Sequence, residues 1–134
     1  MPKVGMGIYI VKDGKVLLGK RKGSIGDGEY ASPGGHLEYM ESFEHCAIRE
    51  VKEETGLEIA NVRFLRLWNQ KHPDYHYINI AVTADWVSGE PKVMEPDSCE
   101  SWDWYDFDHL PNPLYPTIHS AIEALKTGKN FFDA

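Results

Sequence analysis

Short runs of apolar, β-prone residues open the chain. "KVGMGIYIV" and "KVLLGKRK" are two of them, and the Asp13-Gly14 pair between them predicts a hairpin with a tight turn. Gly and Ser then punctuate "GSIGDGEYASPGGH", which reads as loop. From Ser42 the period changes. Phe43, Cys46, Ala47 and Val51 recur at spacings of three and four, Ser42 is placed to cap, and Gly56 is placed to close, so a helix is predicted over about Ser42 to Thr55. "VRFLRLWN", "YINIAVTADWV" and "SWDWYDF" predict further strands, and "LYPTIHSAIEALKTG" a second helix closed by Gly128. Strands, helix, strands, helix is the order of an α+β fold with a mixed β-sheet sandwiched between helices. With 134 residues and no repeat, low-complexity tract or linker, one domain over 1–134 is expected.

The end of the first helix breaks a local rule. Glu50, Glu53 and Glu54 crowd its last turn, within roughly a 100° arc. Like charges three and four apart cost roughly 0.2–0.5 kcal/mol per pair, and carboxylates near a helix C-terminus oppose the macrodipole by roughly 0.3–1 kcal/mol each. A solvated face in which Arg49 pairs with Glu53 accounts for one acid and leaves Glu50 and Glu54 opposed. A hard cation accounts for all three, because Mg²⁺ takes oxygen ligands and is commonly shared between carboxylates and substrate phosphates.

Composition narrows the partners. The net charge of −7 repels long polyanions, so neither a nucleic acid polymer nor an anionic membrane is expected, whereas a small anion carried with a cation is compatible. "MPKVGMGIYIVKDG" lacks the basic-then-apolar pattern of a signal peptide, and no apolar run is long enough to span a bilayer, so a cytoplasmic location is expected. Cys46 and Cys99 lack the spacing of a redox or metal motif and read as reduced, semi-buried thiols without chemistry.

From Gly35, five residues lead to Glu41, seven more to Arg49-Glu50-Val51, and one further to Glu53-Glu54, followed by Thr55, Gly56 and Leu57. This stretch, 35–57, resembles the Nudix hydrolase signature at every fixed position. "VLLGKRKGSIG", "SPGGHLE", "YHY" and "EPDSCESWDWYDFDHLP" extend the likeness over about Gly5 to Leu125, toward MutT-type nucleoside-triphosphate diphosphatases, especially plant cytosolic and animal members related to 8-oxo-dGTP hydrolases. The resemblance implies the Nudix α/β/α sandwich. It also implies Mg²⁺-dependent hydrolysis of a nucleoside triphosphate, including an oxidised or modified purine one, to monophosphate and pyrophosphate, with Mn²⁺ able to substitute. By position, Glu50 and Glu54 are implied as metal ligands. Glu53 is implied as a further ligand through water or as the group that orients the attacking water, and Gly34 or Gly35 as a carbonyl donor. Arg49 matches the arginine that orients a catalytic glutamate. Glu41 matches the signature at the other helix end, with a structural and a catalytic reading both open.

Outside the signature the readings diverge. Lys20, Arg21 and Lys22 are phosphate-neutralising groups or charges guarding a strand edge. Glu100 stands where some relatives place a late glutamate for catalysis or metal. Trp102 and Trp104 share a strand face and read as core, and Cys46 as helix packing. Three departures bear on specificity: Ser32 replaces an apolar residue before "PGG", Tyr115 alters an aromatic-rich segment, and Asn79 stands in place of a small hydroxyl residue, where it can reach a base edge. The competing readings are a hydrolase of another X-linked diphosphate, such as ADP-ribose, a nucleotide sugar or a prenyl diphosphate, and a non-catalytic nucleotide-binding Nudix domain. A homodimer is implied only by some close relatives.

Overall fold

The computed structural model describes residues 1–23 and 25–133; Ser24, one of the loop-marking residues, lies outside them. Strands β1 (Lys3–Lys12) and β2 (Lys15–Arg21) form the expected hairpin, pairing Lys12 with Lys15 across Asp13 and Gly14 at φ 51° and 76°. Helix α1 (Phe43–Thr55) begins after Ser42, whose Oγ accepts from His45 N at 3.0 Å. Gly56 ends it at φ 77°. Strands β5 (Glu58–His72), β6 (Tyr75–Ser88) and β7 (Cys99–Asp106) are longer than, or offset from, the runs that predict them, and helix α2 (Pro116–Thr127) closes at Gly128.

Three short strands carry no periodic signal: β3 (Tyr30–Ala31), β4 (Gly34–His36) and β8 (Phe131–Phe132). They exist through pairing with distant segments. β4 lies antiparallel on β1, setting Gly7 against Gly34 and Met6 against Gly35. The main sheet order is β3-β2-β1-β6-β5-β8, with β1 and β6 parallel and β7 on β2.

The sheet is buried on both faces. Met6, Ile8, Ile10 and Leu17 pack with Cys46, Ala47 and Val51 of α1, and Tyr9, Val16 and Leu18 pack with Ile118, Ala121 and Ile122 of α2. Alternation along β1 and β2 sends neighbouring residues to opposite cores. Trp102 and Trp104 pack against the α1 core, and Cys46 is buried there, its thiol pushed up to about 12 first by burial. Among the described residues no helix is long and apolar enough to cross a membrane.

Candidate active site

The double glycine of β4 brings the backbone against the end of α1. Gly34 N donates to Glu54 Oε2 at 3.0 Å, and a Cβ at Gly35 would stand 2.4 Å from the Glu50 carboxyl. A Cβ at Gly34 would meet the Met6 carbonyl oxygen at 2.4 Å, so Gly34 has no room for a side chain, and one at Gly35 would displace the Glu50 carboxyl. Two carboxyl groups therefore face each other beside a strand backbone. The Glu54 carboxyl is pushed up to about 9, first by burial and then by the hydrogen bond and charge of Glu50, with the Gly34 N–H opposing. Arg49 serves one oxygen of Glu50, and no cationic side chain pairs with Glu54 among the described residues; crowded carboxyl oxygens left so are the donor set a hard divalent cation takes. The residues present fit that group.

Glu53 does not join them. Its side chain is half exposed, and its carboxylate accepts from Arg49 Nη1 at 3.5 Å. Among the described residues no group of three His, Cys, Asp or Glu side chains is gathered as for a metal, so the three-acid convergence expected from helical spacing is met by two acids. Long side chains on one helix face need not share a point.

Arg49 makes the expected pair with Glu53 at 3.5 Å, but its shorter bonds go elsewhere. Its Nε and Nη2 grip Glu41 at 2.7 and 2.9 Å, while Nη1 reaches Glu50 at 2.7 Å. Glu41 wins because it comes back from the helix entrance with both oxygens aligned for a fork, and its side chain is nearly buried. Arg49 holds the Glu41 carboxyl well below the usual carboxylate range. Glu41 also accepts from Glu38 N at 3.0 Å and lies 2.6 Å from His45 Nδ1, so this acid anchors the arginine that in turn holds Glu50.

Glu54 also lines a cleft of about 430 Å³ between β1, β6 and the entrance of α2. Ser32, Asn79 and Tyr115 stand in its wall together, as does Gly34. Arg21 lines it too, its guanidinium over the Tyr115 ring at 4.6 Å. A neighbouring cleft of about 310 Å³ shares Arg21, Ser32 and Glu54 and adds Lys22 and Glu95. Lys20 and Glu100 are not brought to either cleft; they pair with each other at 3.7 Å across β2 and β7, both well exposed.

Aromatic residues of β6 complete the wall. Tyr77 lies stacked with His36 at 5.7 Å and 3.0 Å from its Nε2 through the phenol oxygen, and Tyr75 stands 5.8 Å from Tyr77, giving the cleft an aromatic side. The alternation of "YHYINI" puts Tyr75, Tyr77 and Asn79 on one face and is the available signal. A buried Arg66 stands behind Asn79, and Gln70 lies beside it in the cleft wall.

Residues 1–125 match the family described as NUDIX domain. The NAD-capped RNA hydrolase NudC of Pseudomonas aeruginosa is 36% identical over 104 residues, which cover 78% of this chain and 36% of that protein. The ADP-ribose pyrophosphatase of Methanocaldococcus jannaschii is 36% identical over 112 residues, covering 82% and 65% of the two chains. The chain thus spans only about a third of the NudC relative and just under two thirds of the pyrophosphatase. The crystal structure of a MutT NUDIX hydrolase from Burkholderia pseudomallei superposes with a TM-score of 0.88 at 35% identity, covering 93% of this chain and 98% of that one.

Proposed function

The chain belongs to the Nudix hydrolase family and has its α+β sandwich fold, and from that premise we propose that it hydrolyses the diphosphate linkage of a small nucleotide with Mg²⁺, for which Mn²⁺ can substitute. A nucleoside triphosphate, cut to monophosphate and pyrophosphate, is the leading substrate class. The observation that carries this reading is the Glu50–Glu54 carboxyl pair against the Gly34–Gly35 backbone, with Glu54 in the wall of a cleft that has an aromatic side.

Glu50 and Glu54, with the Gly34 carbonyl, are the groups to hold the metal. When bound, it would neutralise phosphate oxygens and lower the pKa of a water. The chain's own residues do the rest. Gly34 N–H fixes one Glu54 oxygen and leaves the other for the cation. Arg49 orients Glu50 at 2.7 Å and is itself held by Glu41. Glu53, half exposed and loosely held, is free to take a proton from the attacking water. Arg21, which lines both clefts, neutralises phosphate, whereas the Lys20 and Glu100 roles have no geometric support. Ser32, Asn79, Tyr77 and Tyr115 bound the space for the base.

A second reading, an ADP-ribose-type diphosphate, is favoured by the likeness to the Methanocaldococcus pyrophosphatase. An oxidised purine triphosphate remains a candidate from the resemblance of the flanking segments. A panel of nucleoside triphosphates, ADP-ribose, NAD and nucleotide sugars, run with Mg²⁺ and with chelator and resolved by mass, tests this. Monophosphate and pyrophosphate should appear only with the divalent ion. Turnover that survives chelation, or no cleavage of any diphosphate, would refute the reading.

A further inference from the structure

Strand β5 contains the least expected burial in the molecule. Its pairing with β6 slips between Ala60 and Arg63 and again between Phe64 and Arg66. As a result Phe64 is 58% exposed, while Arg66, two residues on, is fully buried. Its Nε donates to Ser120 Oγ at 2.8 Å and its Nη2 to the Thr117 carbonyl at 2.9 Å. Its Nη1 donates to the Asn79 carbonyl at 3.0 Å and to Asn79 Oδ1 at 2.7 Å. All four acceptors are neutral, and among the described residues no carboxylate pairs with it. Tyr9, whose phenol feels the guanidinium, is kept protonated by its own burial and supplies no charge.

A buried charge without a counter-charge is expensive, so the shortest of these bonds is held firmly. Asn79 is constrained as a result. A carboxamide can ordinarily turn over, exchanging its oxygen and nitrogen. Here the turned form would set N–H₂ against a guanidinium, donor to donor. Oδ1 must therefore face Arg66 and Nδ2 must point away from it, donating one hydrogen to Gln70 Oε1 at 3.4 Å and lying 3.7 Å from the point where a Cβ on Gly5 would stand, with its second hydrogen left for the cleft. Gly5, Gln70 and Asn79 all line the 430 Å³ cleft. Its end presents a donor backed by a positive charge.

We propose that Arg66 is a positioning residue for specificity: it locks the Asn79 carboxamide with N–H₂ toward the cleft, which then selects ligands whose ring offers a carbonyl oxygen there over their amino counterparts. This rests on the reading that the cleft takes the base of a nucleotide. The amino ring would set donor against donor, leaving a buried group unpaired, and that mismatch sets the discrimination.

The test uses α,β-methylene triphosphates, which bind without turnover, in two keto/amino pairs: inosine with adenosine, and uridine with cytidine. Calorimetry with Mg²⁺ should give the keto member a lower Kd by about tenfold or more in whichever pair binds more tightly. Asn79→Asp supplies Arg66 with a carboxylate and shows the cleft only acceptors. Its thermal midpoint should rise and the keto/amino ratio should reverse. Arg66→Met frees the amide, and the ratio should fall to within about twofold of one. A merely structural arginine would move the midpoint and leave the ratio alone. If Arg66→Met does not fold, Asn79→Asp decides. Tight binding with no keto preference in the parent protein, or the parent ratio unchanged in Asn79→Asp, overturns the proposal and leaves the hydrolase reading standing. Failure of every analogue to bind refutes the cleft reading itself.

Discussion

Glu54 is held in a position that favours its protonated form when no cation is present. Burial and the neighbouring Glu50 raise its pKa from 4.5 to about 9, so between those values the native state carries a proton that the unfolded chain has released. Stability from this group is complete below about pH 4.5 and is lost as the pH rises through about 9. The metal-free protein should therefore lose thermal stability across that window, and saturating Mg²⁺ should flatten the slope, which calorimetric scans at stepped pH will read. Glu54→Gln keeps the shape and removes the charge. It should raise the metal-free midpoint at neutral pH and, on the proposed role of Glu54 as a metal ligand, lower kcat by about a hundredfold or more. A variant that unfolds, yet keeps full activity per folded molecule, would make Glu54 a structural residue. Arg49→Lys tests the fork: a point charge cannot grip both Glu41 oxygens and still reach Glu50, so kcat should fall by roughly tenfold or more with little change in fold.

At the scale of elements, the site depends on how closely β4 approaches α1. Gly35→Ala would press a methyl group to 2.4 Å from the Glu50 carboxyl. Metal affinity should fall sharply, while circular dichroism stays native because β4 is a short strand with Glu50 as the yielding partner. The helix can be weakened separately: Ser42→Ala removes the acceptor for His45 N and should cost about 1 kcal/mol of stability without changing kcat. The same two elements differ in how much of them is legible in the amino-acid sequence. α1 is readable because its signals are local, a capping Ser42, apolar spacing and a closing Gly56. β4 is not, since three residues without periodicity become a strand only by pairing with β1, some thirty residues away. The long strands are visible as apolar runs, but alternation fails within β5, where two slips turn Phe64 outward and Arg66 inward. Among the acids, Glu50 and Glu54 meet as their four-residue spacing predicts, while Glu53 is left at the rim. Lys20 and Glu100 look like site residues in one dimension and turn out to satisfy each other across two strands.

For the whole molecule, charge distinguishes between substrates that share one scissile bond. The NudC relative is named for NAD-capped RNA, and this chain spans about a third of it. A polymer approaching a protein of net charge −7 meets repulsion along its phosphates, whereas a free dinucleotide brings few charges and a neutralising cation. Arg21 and Lys22 offer local attraction at the clefts, but acids share the smaller one, with Glu54 and Glu95 in its wall. If the protein cleaves an NAD-type linkage at all, kcat/KM for the free dinucleotide should exceed that for the same group on a short RNA. A protein that binds RNA through its phosphates loses affinity steeply between about 50 and about 200 mM salt, through counterion release. Here screening relieves repulsion instead, with a Debye length near 10 Å at about 0.1 M. Activity on the capped RNA should therefore hold or rise over that range at constant free Mg²⁺. A steep fall with salt, confined to the RNA substrate, would mean that a basic path for the polymer exists and that net charge is a poor guide to this surface.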